Sequence, residues 1–235
     1  MRLGGITKVS TLDFPGTISA TLFCQGCNFH CPYCHNPDLV RPFGQLLDEA
    51  GVMDFLRARR KVLDGVVISG GEPSLAPDLG DFIKALKGLG YQVKLDTNGS
   101  MPEVLADLLE RRLVDYVALD IKADPFNYPI ELGPSEATAR TKEAIWALKR
   151  FGKPHEYRST VVNPFVTKET IVAIAKAAKG QWPLYLQPFR GERILKEEFL
   201  KEYPEQPGRE EIKEFRSLAS AYLPTFIRGD NLKIL

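Results

Sequence analysis

The sequence has no excess of charge of either sign and no long apolar run. Its 235 residues include 31 Lys and Arg against 30 Asp and Glu, which gives a formal net charge of +1. Because the charges are so evenly balanced, the protein has no overall field that would attract nucleic acid or a membrane surface. No stretch approaches the roughly 18 to 20 apolar residues that cross a bilayer, and the first ten residues lack the apolar region of a signal peptide. We therefore expect a soluble, cytoplasmic protein with neither a nucleic-acid nor a membrane partner.

Cysteine is scarce, and all four cysteines lie in one short stretch, CQGCNFHCPYC, from Cys24 to Cys34. Disulfides are a weak explanation, because reducing compartments seldom keep them and a domain of this length does not need them. The spacing Cys24-x2-Cys27-x3-Cys31-x2-Cys34 suits a metal site instead. Four thiolates would close a tetrahedral zinc site, whereas three could bind an iron-sulfur cluster and leave one iron open. The spacing alone leaves both alternatives open.

A dinucleotide-binding motif is also missing, since no G-x-G-x-x-G follows the first predicted strand. Short β-branched runs instead alternate with amphipathic segments of helical period. The predicted strands cover residues 17–23, 65–69, 91–96, 115–120, 155–162 and 183–187. The sequence Ser100-Met101-Pro102-Glu103 is typical of a capping box at the start of one helix. The alternation predicts an α/β fold with a parallel sheet covered by helices, either doubly wound or curled into a barrel.

Polar side chains and glycines follow several of the predicted strands. The carboxyl ends of parallel strands line one face of such a fold, so we expect these groups to converge there with the thiols. Two glycines let the backbone approach a ligand closely, and the carboxylate of Glu72 beside them could accept from an ammonium group. Asp96 and Asp120 would be costly to bury without cationic partners, and Lys122 is a ready one. The candidate residues are Gly70, Gly71, Glu72, Asp96, Asp120, Lys122, Arg158 and Gln187.

Together these motifs resemble the radical S-adenosylmethionine (SAM) superfamily. Cys27-x3-Cys31-x2-Cys34 follows the first strand, the aromatic Tyr33 precedes the last cysteine, and GGEP follows the second strand. The stretches SxxDxPG, YCHNP, DTNG and DIK are similar to those of glycyl radical enzyme activases, over about residues 4 to 190. Among these, the chain most resembles the activating proteins of anaerobic ribonucleoside-triphosphate reductases, with those of pyruvate formate-lyase as relatives. The family pattern also places the turn at 13–16 near the active face.

The resemblance implies both a fold and a chemistry. The fold is a partial (β/α)6 TIM-like barrel, a single domain over residues 1–235 with a core at about 17–190 and a C-terminal extension at 191–235. Cys27, Cys31 and Cys34 would be the catalytic metal ligands of one 4Fe-4S cluster, whose fourth iron binds the amino nitrogen and carboxylate oxygen of SAM. Reductive cleavage of SAM then gives a 5'-deoxyadenosyl radical, which abstracts hydrogen from a glycine of a partner glycyl radical enzyme.

The resemblance also assigns contacts with the cofactor. The GGEP residues would meet the methionyl ammonium group. Asp96, and Asp120 with Lys122, would lie near the methionyl carboxylate or the ribose, where the pyruvate formate-lyase activase also holds a cation. Arg158 is a further candidate for a carboxylate contact, and Gln187 is a candidate for the adenosine side.

Three points lie outside the ligand pattern: Cys24, the source of the electron and the C-terminal tail. Cys24 departs from the family, and we expect a small buried side chain there rather than a ligand. Because four cysteines cannot supply a second cluster, the electron would come from reduced flavodoxin or ferredoxin. In the tail, the amphipathic segment at 209–223 predicts a solvated capping helix.

Two alternatives to an activase remain at this point. A small-molecule radical SAM enzyme such as a 7-carboxy-7-deazaguanine synthase is also short and carries GGEP, although its cluster loop usually lacks YCHNP. A zinc-binding scaffold is the alternative outside the superfamily. The sequence does not name the activated partner, which could be a ribonucleotide reductase or a formate-lyase-like protein.

Overall fold

A computed structural model describes residues 1–40 and 44–229 of the chain. Within these ranges eight strands form one sheet, in which they lie side by side in chain order. The strands β2 to β8 are parallel, and β1 pairs antiparallel with β2. Their bounds are β1 Leu3–Ser10, β2 Ser19–Cys24, β3 Gly65–Gly70, β4 Gln92–Thr97, β5 Tyr116–Asp120, β6 His155–Val161, β7 Leu184–Pro188 and β8 Thr225–Ile227.

Helices connect the successive parallel strands and cover the sheet with apolar faces. Those described are α1 Pro37–Val40, α2 Glu49–Arg59, α3 Leu79–Gly88, α4 Pro102–Glu110, α5 Ala137–Phe151, α6 Lys168–Ala178, α7 Phe199–Glu202 and α8 Arg209–Ala219. Helix α3 shows the pattern, since the residues at helical spacing on one face are buried: Leu79, Phe82, Ile83 and Leu86. The predicted α/β class with a parallel sheet is therefore confirmed, and strands β2 to β7 match the six predicted strands closely.

The alternation of β-branched runs and helical segments in the sequence did not predict the strands at the two edges of the sheet. Strand β1 contains Gly4 and Gly5, which weaken a strand pattern, and register shifts interrupt its pairing with β2. Strand β8 is only three residues long, which is too short to show a period. Both edge strands become recognisable through their pairing with β2 and β7.

Two local predictions were wrong. Ser100 does not cap α4, whose N-cap is Met101 without a side-chain bond; the hydroxyl of Ser100 donates instead to Asn28 Oδ1 at 3.1 Å. The turn at 13–16 lies at the amino ends of the strands, away from the thiols. There the ring of Phe14 packs 5.9 Å from that of Tyr116 at the start of β5. The reason is that β2 runs away from this turn, so its carboxyl end carries Cys24 to the opposite face.

The predicted tail segment forms α8, which has a charged outer face and buries Ile212, Phe215 and Ala219. This helix packs against α6 and β8. The last six residues of the predicted extension at 191–235 lie outside the described ranges, and its division from the core stays a prediction. In the described ranges, no helix has the length and apolar character needed to span a membrane.

Close packing between the turn after β3 and the loop after β2 gives a prediction for Gly71. A Cβ at Gly71 would lie 2.1 Å from the carbonyl oxygen of Gly26, whereas a Cβ at Gly88 in α3 would meet nothing within 4 Å. We expect Gly71→Ala to lower the free energy of unfolding by about 1–3 kcal/mol, because the backbone of one loop must move. Gly88→Ala should raise it by up to about 1 kcal/mol through helix propensity. Denaturant unfolding of both variants checks this, and equal stabilities would contradict the packing argument.

Candidate active site

A cavity of about 260 Å³ opens at the carboxyl ends of the parallel strands. The loop after β2 and the ends of β3 to β7 contribute its walls, as expected for a parallel α/β fold. Of the predicted site residues all except Glu72 line it: Cys27, Cys31, Tyr33, Cys34, Gly70, Gly71, Asp96, Asp120, Lys122, Arg158 and Gln187. Residues from distant parts of the sequence therefore meet in one place.

The cysteine loop, residues 25–36, is held by backbone hydrogen bonds near its start and in its middle. The amide of Gly26, at a positive φ of 101°, donates to Leu39 O at 2.7 Å. Further along, the amide of His30 donates to Leu132 O at 2.8 Å. Cys24 precedes this loop as the last residue of β2 and is 3% exposed, in agreement with its expected place as a small buried side chain. It does not belong to the residues that line the cavity.

Burial favours the protonated form of two of the cavity thiols, those of Cys27 and Cys31. Loss of solvent raises the pKa of Cys27 to about 11 and that of Cys31 to about 12, although the positive charge of Lys122 opposes both shifts. All four cysteines are free of disulfides. A protonated thiol is a poor nucleophile, whereas a metal would deprotonate any thiol that coordinates it.

The carboxylate of Glu72 faces the protein and not the cavity, contrary to the predicted ammonium contact. Its Oε1 accepts from Thr97 Oγ1 at 2.7 Å and from the amide and hydroxyl of Ser74, and its Oε2 accepts from the amide of Asn98 at 2.6 Å. Burial raises the pKa of Glu72 above its usual value, and these hydrogen bonds offset only part of that rise. With four donors satisfied inside the fold, the carboxylate ties the turn after β3 to the turn after β4. Gly70 and Gly71 line the cavity in its place.

Arg158 joins the two strand-end carboxylates. Its Nε donates to Asp120 Oδ1 at 2.7 Å, and its Nη1 donates to Asp96 Oδ2 at 3.1 Å. Lys94 Nζ lies 2.7 Å from the other oxygen of Asp96, and Lys122 Nζ lies 3.3 Å from that of Asp120. Burial by itself would raise the pKa of both carboxyl groups, but Arg158 and the lysines hold them below the usual range. Arg158 thus contacts two of the protein's own carboxylates, and its contact with the methionyl carboxylate stays a prediction.

The predicted cation near Asp96 and Asp120 finds no support in this arrangement. The guanidinium of Arg158 already contacts both carboxylates. Among the residues that the structure describes, no three His, Cys, Asp or Glu side chains come together so as to hold a single metal ion. The charge compensation at these two strands comes from basic side chains.

The structure adds site residues that sequence reasoning did not single out. Asn98, in the turn after β4, lines the cavity and places its Nδ2 at 3.8 Å from Cys27 Sγ. Ser69 and Asn36 line it as well. Asn98 belongs to the DTNG motif, in which only Asp96 had a predicted role. Nothing in the motif indicates that the asparagine reaches a cysteine 71 positions earlier in the chain.

The chain beyond β7 packs against the cysteine loop. Tyr33 donates its hydroxyl to Lys122 O at 3.3 Å, and its ring lies among those of Phe165, Phe189 and Phe199, with centroid distances of 5.8, 6.3 and 6.1 Å. The ring of His35 stacks on Phe189 at 5.5 Å. The start of the predicted C-terminal extension therefore forms part of the support of this loop.

Comparisons with known proteins agree with this geometry. One relative is a protein of Methanocaldococcus jannaschii that carries the provisional name glycyl-radical enzyme activating enzyme. The two sequences are 35% identical, and the match covers 96% of this chain and 94% of the relative. The pyruvate formate-lyase-activating enzyme of Clostridium pasteurianum is 35% identical over 52% of each protein. The 7-carboxy-7-deazaguanine synthase of Hyperthermus butylicus is 28% identical over 80% of this chain and 76% of its own length.

A solved structure and a family match complete the comparison. The solved structure of a radical SAM methyltransferase from Sphaerobacter thermophilus matches with a TM-score of 0.66 and 16% sequence identity, over 92% of this chain and 67% of the methyltransferase chain. At this identity the likeness shows the fold alone. The Radical SAM superfamily matches residues 21–178, which is more than half of the chain and includes the cysteine loop. The chain therefore belongs to the radical SAM superfamily and is a radical SAM enzyme homologous to the glycyl-radical enzyme activating enzymes.

Proposed function

We propose that this enzyme is a glycyl radical enzyme activase, which abstracts hydrogen from a glycine of a partner protein. The observation that carries the proposal is that three of the four cysteines line one cavity together with the ends of five strands, while Cys24 does not line it. The similarity to the Methanocaldococcus jannaschii protein over nearly the whole chain supports the choice of a protein substrate. The partner would be of the anaerobic ribonucleotide reductase or the formate-lyase type.

Cys27, Cys31 and Cys34 are the proposed ligands of a 4Fe-4S cluster. Three thiolates saturate three irons and leave the fourth iron for SAM, which suits a cavity with three cysteines in its wall. A closed zinc site would also need Cys24, whose side chain is buried at the end of β2. When bound, the cluster supplies the electron that cleaves SAM into methionine and a 5'-deoxyadenosyl radical.

The strand ends supply the proposed contacts with SAM. Gly70, at a φ of 117°, and Gly71 expose backbone to the cavity, where carbonyl groups can accept from the methionyl ammonium. Lys94, Lys122, Arg158 and Arg228 are four cations against three carboxylates, those of Asp96, Asp120 and Glu156. This excess of positive charge suits the methionyl carboxylate, and Lys122 is its proposed partner.

The remaining parts of the proposal concern the adenosine moiety, the electron donor and the compartment. Gln187 at the end of β7 lines the cavity and can donate to or accept from the adenosine group. The 235 residues contain no cysteines for a second cluster, so reduced flavodoxin or ferredoxin is the proposed electron donor. We place the enzyme in the cytoplasm, where thiols stay reduced.

The cysteine assignment predicts which thiols hold iron. After anaerobic reconstitution, wild type and Cys24→Ala should each bind about four irons per chain and show the brown 4Fe-4S absorption. Cys27→Ala, Cys31→Ala and Cys34→Ala should each lose most of the iron, because a ligand is missing. Cys24→Ala is the matched control, since it removes a buried thiol next to the same loop. Stoichiometric zinc without iron, or loss of the cluster in Cys24→Ala, would contradict the assignment.

The activase proposal predicts a radical on a partner protein. Reduced enzyme, SAM and a glycyl radical protein encoded beside this chain should give 5'-deoxyadenosine, methionine and a glycyl radical signal in electron paramagnetic resonance. Cys31→Ala should give neither product nor signal. Turnover of a tetrahydropterin with no glycyl radical would establish the alternative, a 7-carboxy-7-deazaguanine synthase, to which the similarity to the Hyperthermus butylicus enzyme points.

A further inference from the structure

We propose that Asn98 is a positioning residue that sets the reduction potential of the cluster, by donating an N–H from its carboxamide to Sγ of Cys27. The inference rests on the proposed function, because it takes Cys27 as a cluster ligand. Hydrogen bonds to the sulfur atoms are one of the main determinants of the potential of an iron-sulfur cluster.

The hydrogen bonds around the carboxamide fix which of its ends faces the sulfur. Oδ1 of Asn98 accepts from the amide of Ser100 at 2.9 Å, so the Nδ2 end points away from that turn. Nδ2 lies 3.3 Å from Asn28 Oδ1 and 3.8 Å from Cys27 Sγ. An amide NH2 group has two protons, and it can therefore serve both acceptors at once.

The backbone of Asn98 is held as firmly as its side chain. The residue is 4% exposed, and its amide donates to Oε2 of the buried Glu72 at 2.6 Å. On the other side, Asn28 Oδ1 also accepts from the hydroxyl of Ser100 at 3.1 Å, which keeps the shared acceptor in place. The carboxamide thus cannot leave the sulfur without breaking bonds inside the fold.

Cys27 is distinguished from Cys31 by these contacts. Its Sγ also accepts from the amide of Phe29 at 3.3 Å, so two N–H groups converge on it. The Sγ of Cys31 has no such pair of N–H donors among the residues that the structure describes: it lies 3.9 Å from an acceptor, Leu132 O, and its other hydrogen-bonding neighbour is the hydroxyl of Tyr33. Donors at a thiolate stabilise the more negative, reduced state of a cluster more than the oxidised state, so they raise its potential. Asn98 therefore makes the cluster easier to reduce.

The test is a redox titration of the reconstituted enzyme, followed by electron paramagnetic resonance, with iron content measured on the same samples. Asn98→Ala should make one-electron reduction about threefold to tenfold less favourable, where tenfold corresponds to about 59 mV for a one-electron couple. Asn98→Asp keeps the size of the side chain and replaces the N–H donor with an oxygen. The cluster of this variant should therefore have a potential at least as negative as that of Asn98→Ala. The matched control is Thr97→Val, which removes a bond to Glu72 in the same turn but no contact with sulfur.

Each outcome bears on a different part of the argument. If both Asn98 variants carry a full cluster at the wild-type potential, the inference is wrong. It is also wrong if Thr97→Val shifts the potential as far as Asn98→Ala, since the effect would then come from the turn as a whole. Loss of the cluster in both Asn98 variants, with Thr97→Val loaded, would assign the residue to assembly and overturn its proposed effect on the potential. A wild-type protein that binds no iron would instead overturn the proposed function.

Discussion

The close approach of two backbone turns is the constraint on which the site depends. The amide of Gly71 donates to Cys24 O at 2.9 Å and that of Glu72 donates to Gly26 O at 2.8 Å, so the turn after β3 is bonded directly to the start of the cysteine loop. No side chain fits between them, because a Cβ at Gly70 would lie 2.4 Å from backbone atoms of Cys24. The glycines of GGEP therefore place the thiols as well as opening the cavity, and Glu72 extends the same support to the turn after β4.

Charge inside the fold is organised by the same convergence of strand ends. Asp96, Asp120 and Arg158 belong to the neighbouring strands β4, β5 and β6, and in-register pairing sets Asp120 opposite Arg158. Buried carboxylates are tolerated only with paired cations, and here the chain supplies those cations itself. The arrangement keeps both carboxylates ionised next to a cavity that is proposed to bind a zwitterionic cofactor group. Removing Arg158 would leave each of the two carboxylates with a single lysine partner, Lys94 for Asp96 and Lys122 for Asp120.

The segment after β7 has a larger part in the site than its sequence indicated. It carries no recognised motif, yet Phe189 and Phe199 pack on Tyr33, and the amide of Lys196 donates to Pro32 O at 3.0 Å. Aromatic contacts of this kind bury apolar surface and fix ring orientation. They support the cysteine loop at Pro32 and Tyr33, while the β5–α5 connection supports it through the bond from the amide of His30 to Leu132 O.

The sequence by itself determined the parallel α/β class, the six central strands, the three cavity cysteines and the residues at the strand ends, because β-branched runs, helical periods and short motifs are local patterns. Only the tertiary structure decided the edge strands β1 and β8, the inward direction of Glu72, the pairing of Arg158 with two aspartates and the reach of Asn98 to Cys27. These depend on which side chains meet across strands and turns far apart in the chain. Motif spacing records the identity of such groups, but the partner of a buried polar group is fixed only when the sheet brings its donors and acceptors together.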